Sequence, residues 1–447
     1  MVYFFILYSV LLVYLSLLGS YKKGLLAYWI SLLLVPTVIM NQTVLSYAYF
    51  RTTSIMLVTG FALQDRECRE EIGRLISDNK VVFLAVAGVS AAILLLSDTV
   101  PLSTQLWNFF QKIWTYPAIF LTFFAVRNDR VFARQLFVCI ACCLLLNAFY
   151  CLCFEIILRY NPSGTPLYTF LGNTRAVDAI NFSRGLLGFR LQSVFGHPLS
   201  LGQYLLVLYP LFLACNRIYD SLLCKAVVYT VPVVIFLTGT RGAYIPLLLL
   251  LFYHLYKSTV SVRQFIWGTG IVGAASLACL LLPANTEKQI NRSVEMFVNS
   301  LRVWDSSKQK AFTKKSGASS LEGRIKQFDA ALEELASNPL TGRGIGYREW
   351  YQDKYHLRTH PRLLGYESIA LLYPVERGFL GFICYIGIVF GLYLYFVRRT
   401  CARRYVLFIF GSFLLSGFLT GERILSLQFS GLCASLLCSF FPNYRSI

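Results

Sequence analysis

The sequence predicts an all-α fold: a polytopic transmembrane bundle of about twelve or thirteen helices, with one large external loop carrying short helices. Three observations predict it. Long apolar runs recur from one end of the chain to the other, and 56% of its 447 residues are hydrophobic against 14% charged, giving a mean hydropathy of +0.59. The runs are continuous rather than alternating in polarity, which excludes a transmembrane β-barrel. Polar residues gather between the runs, many of them in two long segments. A hydrocarbon core roughly 30 Å thick needs about 20 apolar residues per helix. Helices are the economical solution because lipid offers no partner to an unpaired backbone amide.

Taken in order, the apolar runs cover 2–18, 24–40, 44–63, 81–97, 113–126, 135–157, 197–214, 222–238, 242–256, 264–282, 371–397, 405–420 and 424–440. The run at Met1 lacks a basic leader and a cleavage site, so it reads as a retained first helix. The third is interrupted by Arg51 and is the weakest span. Three regions follow: a transmembrane bundle over 1–282 with a loop near 158–196, a large extracytoplasmic loop over 283–370, and C-terminal helices over 371–447. In the large loop, Ser319-x-x-Glu322 reads as a capping box. Ile325, Phe328, Leu332 and Leu335 follow at helical spacing, and Asn338-Pro339 ends the helix.

The net charge of +19 follows from short cationic loops. Lys22-Lys23, the stretch from Arg66 to Lys80, Arg127 to Arg134, Lys257 to Arg263, and Arg398-Arg399 with Arg403-Arg404 alternate onto one side, which the positive-inside rule assigns to the cytoplasm. The other side receives both long loops and two tiny turns, Thr238 to Gly242 and Thr420 to Arg423. No basic patch is interleaved with exposed aromatics, so nucleic acid is not an expected partner. Most of the 13 cysteines lie within apolar runs, and neither a disulfide framework nor zinc spacing is present.

Candidate site residues sit on the external side. Arg241, in the turn Thr238-Gly239-Thr240-Arg241-Gly242, is either a snorkelling cation at a helix end or an anion ligand whose planar fork matches phosphate. Arg184 and Arg190 precede Phe195-Gly196-His197-Pro198, where His197 has no metal-spaced partner. Gly342-Arg343-Gly344-Ile345-Gly346 follows a helix and lacks a Lys-Ser/Thr, so it is a turn leading back to the membrane and not a phosphate loop. Glu367 lies where polar loop meets apolar run, either as a solvated helix-start residue or as a functional carboxylate. No DxD occurs, and no metal or other cofactor is expected.

In this order the motifs resemble the bacterial O-antigen polymerase and ligase superfamily over most of residues 140–400. Arg190 followed by Gly196-His197-Pro198-Leu199-Ser200-Leu201-Gly202 is similar to the family's Arg and NPN-x-x-G helix start. Phe236 to Ala243 resembles its LT-x-SRGA turn. Arg324, Asn338-Pro339-Leu340, Gly342 and Gly344 resemble its GR…NPL-x-G-x-G section. Two departures stand out. His197 replaces the common Asn. Glu367-Ser368 occupies the place, eleven residues before Gly378-x-x-Gly381, where ligases carry His-Asn, and His360 is out of register by seven. The similarity therefore leans toward the polymerases.

The resemblance implies a metal-independent glycosyltransferase of the cytoplasmic (inner) membrane. Its donor and acceptor are glycans on polyprenyl diphosphate, joined into O-antigen, capsule or exopolysaccharide on the external face, with a chain-length regulator as a possible partner. It implies Glu367, Arg241 and Arg190 as catalytic groups, and Arg184, His197, Arg324, Arg343 and His360 as substrate contacts. The alternatives are a ligase acting on lipid A core or protein, and a flippase without chemistry.

Overall fold

The computed structural model describes residues 2–36, 47–97, 99–155, 190–216, 221–257, 263, 265–271, 321–355, 368–421 and 425–443. Among these residues the protein is all-α, with sixteen α-helices and no sheet. They are α1 (Val2–Gly19), α2 (Tyr21–Leu34), α3 (Tyr47–Ala62), α4 (Arg66–Asp78), α5 (Lys80–Leu96), α6 (Leu102–Ile113), α7 (Thr115–Arg127) and α8 (Arg130–Phe149) in the first half. After a π-helical turn over Tyr150–Glu155 come α9 (Pro198–Cys215), α10 (Leu222–Leu237), α11 (Arg241–Lys257), α12 (Leu321–Ser337), α13 (Tyr347–Tyr355), α14 (Ile369–Val397), α15 (Arg403–Thr420) and α16 (Ser426–Phe440). Among the described residues five stretches are long and apolar enough to cross a membrane, Leu102–Arg127, Arg130–Cys153, Pro198–Cys215, Ile369–Val397 and Arg403–Thr420, and the bent pair Arg66–Asp78 with Lys80–Leu96 makes a sixth if it is one span. The full span count draws on 37–46 and 264 with 272–282, which lie outside the described residues, as do the capping residue Ser319 and most of the loop 158–196.

The helices follow the apolar runs closely, with three differences. Arg51 does not break α3; it is fully buried and donates from Nη2 to the Gln111 carbonyl at 3.1 Å, in the last turn of α6. A helix C-terminus carries partial negative charge, which suits a cation. Residues 66–78, read as loop, form a helix bent by 76° from α5. Asp65 caps it by accepting from the Cys68 amide at 3.1 Å. The fifth span begins earlier than its apolar run, because α6 continues into α7 across Trp114. Polar Gln105 is buried on the inner side of α6, while Leu102, Leu106 and Trp107 face outward, which masks the helix in a simple hydropathy reading.

Two helices form the centre. In α16 every residue from Ser426 to Ser439 is buried, and α9 is buried from Ser200 to Cys215. A helix buried on every side lies in the interior of its bundle. Small residues let it be enclosed tightly: a Cβ added at Gly431 would strike Ile119 of α7 at 2.5 Å.

The interhelical contacts sort the loops into the two groups that charge alternation predicts. On the basic face, Lys22 pairs with Asp129 at 2.8 Å, Arg127 with Glu71 at 3.3 Å, and Arg404 donates to the Tyr253 hydroxyl at 3.2 Å. On the opposite face, Ser97 donates to the Thr341 carbonyl at 3.1 Å, the Ile345 amide to Gln105 Oε1 at 3.2 Å, and Gln203 to the Gly421 carbonyl at 2.6 Å. The end of the 283–370 segment therefore seats on the same face as residues 97–105. Its helix α12 packs through Gln327, Ala330, Ala331 and Leu335, while Phe328 and Leu332, expected on the packed face, are exposed.

Candidate functional site

The first part of the site is a turn fastened by one arginine. Arg190 donates from Nε to the Thr238 carbonyl at 2.7 Å and from Nη2 to Thr240 Oγ1 at 3.2 Å. Thr240 Oγ1 in turn donates to the Pro198 carbonyl at 3.1 Å, so the turn is tied to the first turn of α9. Gly239 has φ of 64°, and the Arg190 side chain lies 3.1 Å from where its Cβ would stand. Any side chain there would meet the arginine as well as backbone strain. Arg241 is the next residue but one and opens α11.

The segment that delivers Arg190 is itself held by buried polar groups. Glu155 is fully enclosed and accepts from the amides of Gln192 and Ser193, each at 3.0 Å. Ser193 donates from its hydroxyl to Asn147 Oδ1 at 2.6 Å. His197 caps α9, its Nδ1 accepting from the Leu199 amide at 3.1 Å. An Asn side chain does the same work at a helix start, so the His-for-Asn departure preserves the cap. With Nδ1 accepting, the ring proton of a neutral imidazole resides on Nε2.

The second part is a cavity of about 1950 Å³ between α5, α7 and α14. One wall of its mouth carries Gly196, His197 and Ser200 of the α9 start. The other carries charges: Lys112 stands 3.6 Å from buried Glu376, Arg348 is paired with Glu349 at 2.6 Å, and Arg377 lies 4.7 Å over the Tyr373 ring. Burial alone would raise the Glu349 carboxyl, but Arg348 and Lys112 hold it below its ordinary range. The rest of the cavity lining is mainly apolar, with Asp78, Asn79, Arg398 and Arg399 contributed from the basic face. Gly387 and Gly391 line the cavity, and a Cβ on either would meet nothing within 4 Å.

A break in α14 positions these charges. Gly378 has φ of 63° and ψ of −173° in the middle of the helix. The carbonyls freed there are taken by the Gly342 turn: the Arg343 amide donates to Val375 O at 2.8 Å and the Gly344 amide to Glu376 O at 3.0 Å. The Phe379 amide returns a bond to Pro339 O at 2.8 Å. Backbone meets backbone so closely that a Cβ at Gly378 would strike the Leu340 carbonyl. Irregular backbone near a membrane is tolerated where protein satisfies it and it borders a cavity. The glycine-rich run read as a turn leading to the membrane is therefore the plug of a broken helix.

Of the predicted residues, Arg190 meets the Thr238–Thr240 turn and His197 faces the cavity. Arg343 is engaged with Glu334 at 2.9 Å, joining the turn to α12. Arg241 and Arg324 are described by their backbone alone, and Arg184, His360 and Glu367 lie outside the described residues. Ser368, next to Glu367, caps α14 and donates to the Phe418 carbonyl at 2.7 Å, close to the α15 end that Gln203 also binds. Sequence reading missed Lys112, Arg348, Glu349, Glu376 and Arg377. A usable signal existed for the last two: adjacent charges between Pro374 and Gly378, inside an apolar run, mark a site by default.

Fold and site together define a polytopic helical membrane protein with arginine-organised turns on one face and a cavity behind them. Residues 226–386 match the O-antigen ligase family, which bears out the resemblance to the O-antigen polymerase and ligase superfamily. The matched stretch holds the Thr238–Gly242 turn, the Gly342 plug and the break at Gly378. No curated protein matches the sequence.

Proposed function

We propose that this protein polymerises polyprenyl-diphosphate-linked oligosaccharide repeat units on the membrane face opposite its basic loops, which is the external face of the cytoplasmic membrane. The observation that carries the reading is the fastening of Arg190 to the turn that leads into Arg241, beside the mouth of a cavity and within a chain whose middle matches the O-antigen ligase family. Arg241 holds the donor diphosphate, and Arg190 fixes the turn that presents it. Arg184, His197, Arg324, Arg343 and His360 contribute to the surrounding contacts, Arg343 by shaping the plug.

In the reaction, an acceptor sugar hydroxyl attacks the anomeric carbon of the donor glycan. The bond between that carbon and the diphosphate oxygen breaks, and its electron pair leaves with the polyprenyl diphosphate. The hydroxyl proton passes to a base, for which Glu367 is the candidate, at the position where ligases of the family carry His. Fixed cations that meet the developing charge lower the barrier without reorganisation. The energy resides in the lipid diphosphate, so neither nucleotide nor metal is required. Glu in place of His supports polymerisation over transfer to lipid A core.

The test offers purified protein in proteoliposomes both lipid-linked repeat units and lipid A core. The expected product is a ladder on polyprenyl diphosphate. Transfer to lipid A core alone assigns a ligase, and movement of intact substrate across the bilayer without bond formation assigns a flippase. Glu367→Gln should lower turnover on the order of 100-fold or more if Glu367 is the base. A reporter fused near Gly317 should report an external location.

A further inference from the structure

A guanidinium enclosed in protein without an anion is costly, because the desolvation of a charge is repaid only by pairing and hydrogen bonds. Arg377 is half-buried, and one of its nitrogens is in that condition. Its Nη2 is enclosed and has no hydrogen-bond partner, and its described contact is with the face of the Tyr373 ring. The adjacent Glu376 does not neutralise it, since that carboxylate turns to Lys112. Trp114 lines the same cavity, and its indole Nε1–H is likewise enclosed and unpartnered. Two donors without acceptors, lining one cavity with the Lys112 ammonium, call for an anion.

The level of the residue in the membrane says what kind of anion. Beyond the break, Phe379–Val397 runs roughly 28 Å at 1.5 Å per residue, about the thickness of a hydrocarbon core. Arg377 closes that stretch at one end and Arg398-Arg399 at the other. It is thus at headgroup height, with an apolar groove past Gly387 and Gly391 leading away from it. A diphosphate carried on a polyprenyl tail fits both halves; a sugar carboxylate has no use for the groove.

The seat is separate from the Arg190 turn. Among the described residues, neither Arg190 nor Thr238, Gly239, Thr240 or Gly242 lines the cavity, and the first turn of α9 stands between that turn and the cavity. Its Pro198 carbonyl faces Thr240, while His197 and Ser200 face the cavity. Joining two lipid-linked chains requires both to be bound at once. We propose that Arg377, with Lys112 and Trp114, seats the diphosphate of the acceptor chain, leaving the Arg190–Arg241 turn to the donor. This inference rests on the polymerase reading.

The test titrates the purified full chain in nanodiscs with geranylgeranyl diphosphate and reads stoichiometry by native mass spectrometry. Wild type should bind two molecules. Arg377→Gln and Arg241→Gln should each bind one, the lost seat weakened at least 10-fold, and Arg377→Lys should recover part of the loss. Gly387→Leu, which fills open groove and leaves the charges in place, should weaken the same seat. Two molecules bound by Arg377→Gln as tightly as by wild type would overturn the assignment of the seat and leave the polymerase reading standing. A single molecule in wild type, lost in Arg241→Gln alone, would overturn it as well. No binding to wild type would overturn the polymerase reading and this inference together. Inorganic diphosphate competing as tightly as the prenyl compound would overturn the lipid part of the assignment.

Discussion

Arg190 and Arg377 sit on the same face of the protein and do opposite things with their guanidinium groups. Arg190 directs two nitrogens at its own chain, the Thr238 carbonyl and Thr240 Oγ1, and so fixes a backbone turn. Arg377 stacks on an aromatic ring and keeps an enclosed nitrogen without a protein acceptor. The difference separates positioning from binding. A guanidinium spent on its own chain makes geometry, whereas one that keeps an enclosed, unpaired nitrogen is open to a ligand.

The largest effect should come from the break that sets Arg377 in place. Gly378→Ala adds a Cβ against the Leu340 carbonyl at a positive φ, and Gly342 opposite cannot withdraw. A loss of about 3 kcal/mol in stability is expected, read as a lower thermal midpoint in detergent, with weaker lipid binding at the Arg377 seat. A normal midpoint would mean the plug is loose. Next in size, Arg190→Ala removes charge-assisted hydrogen bonds worth about 1.5–3 kcal/mol each. Turnover should fall on the order of 100-fold at unchanged protein level. Arg190→Lys should rescue it poorly, because an ammonium lacks the fork that spans two acceptors.

A smaller effect concerns pH. The Glu349 carboxyl is held below its ordinary range despite burial, through Arg348 and Lys112. A depressed folded-state pKa stabilises above the unfolded value of about 4.3 and is lost as pH falls through the folded value. Wild type should therefore lose more of its thermal midpoint than Glu349→Gln between pH 6 and pH 3. Equal losses would show that the cations do not depend on Glu349. Because Arg348 and Glu349 are partly exposed, the difference should be a few degrees at most.

These two regions were unequally legible in the sequence. Arg190 and the Thr238–Arg241 turn announce themselves as polar motifs at the ends of apolar runs, and alternation alone puts them on one face. Their helices were legible for the same reason, since a spanning helix is written in one continuous stretch. Lys112 and Glu376 are more than 250 positions apart, and Glu155 serves amides far along the chain. Such partners depend on how helices pack, which local pattern does not carry. Gln105 kept α6 hidden because a buried amide bonded to carbonyls looks like surface polarity in the sequence. His197 reads as a departure until its cap is seen, because the requirement at that position is an acceptor at a helix start, not an asparagine.

Positioning and binding part most clearly in steady-state kinetics. Polymer formation from purified lipid-linked repeat units, followed across substrate concentration for wild type, Arg190→Ala and Arg377→Gln, tests the comparison directly. The expected result is that high substrate largely restores Arg377→Gln, whose defect is about 10-fold in KM, and leaves Arg190→Ala slow, its defect lying in kcat. Recovery of Arg190→Ala at high substrate, with Arg377→Gln slow at every concentration, would contradict the account.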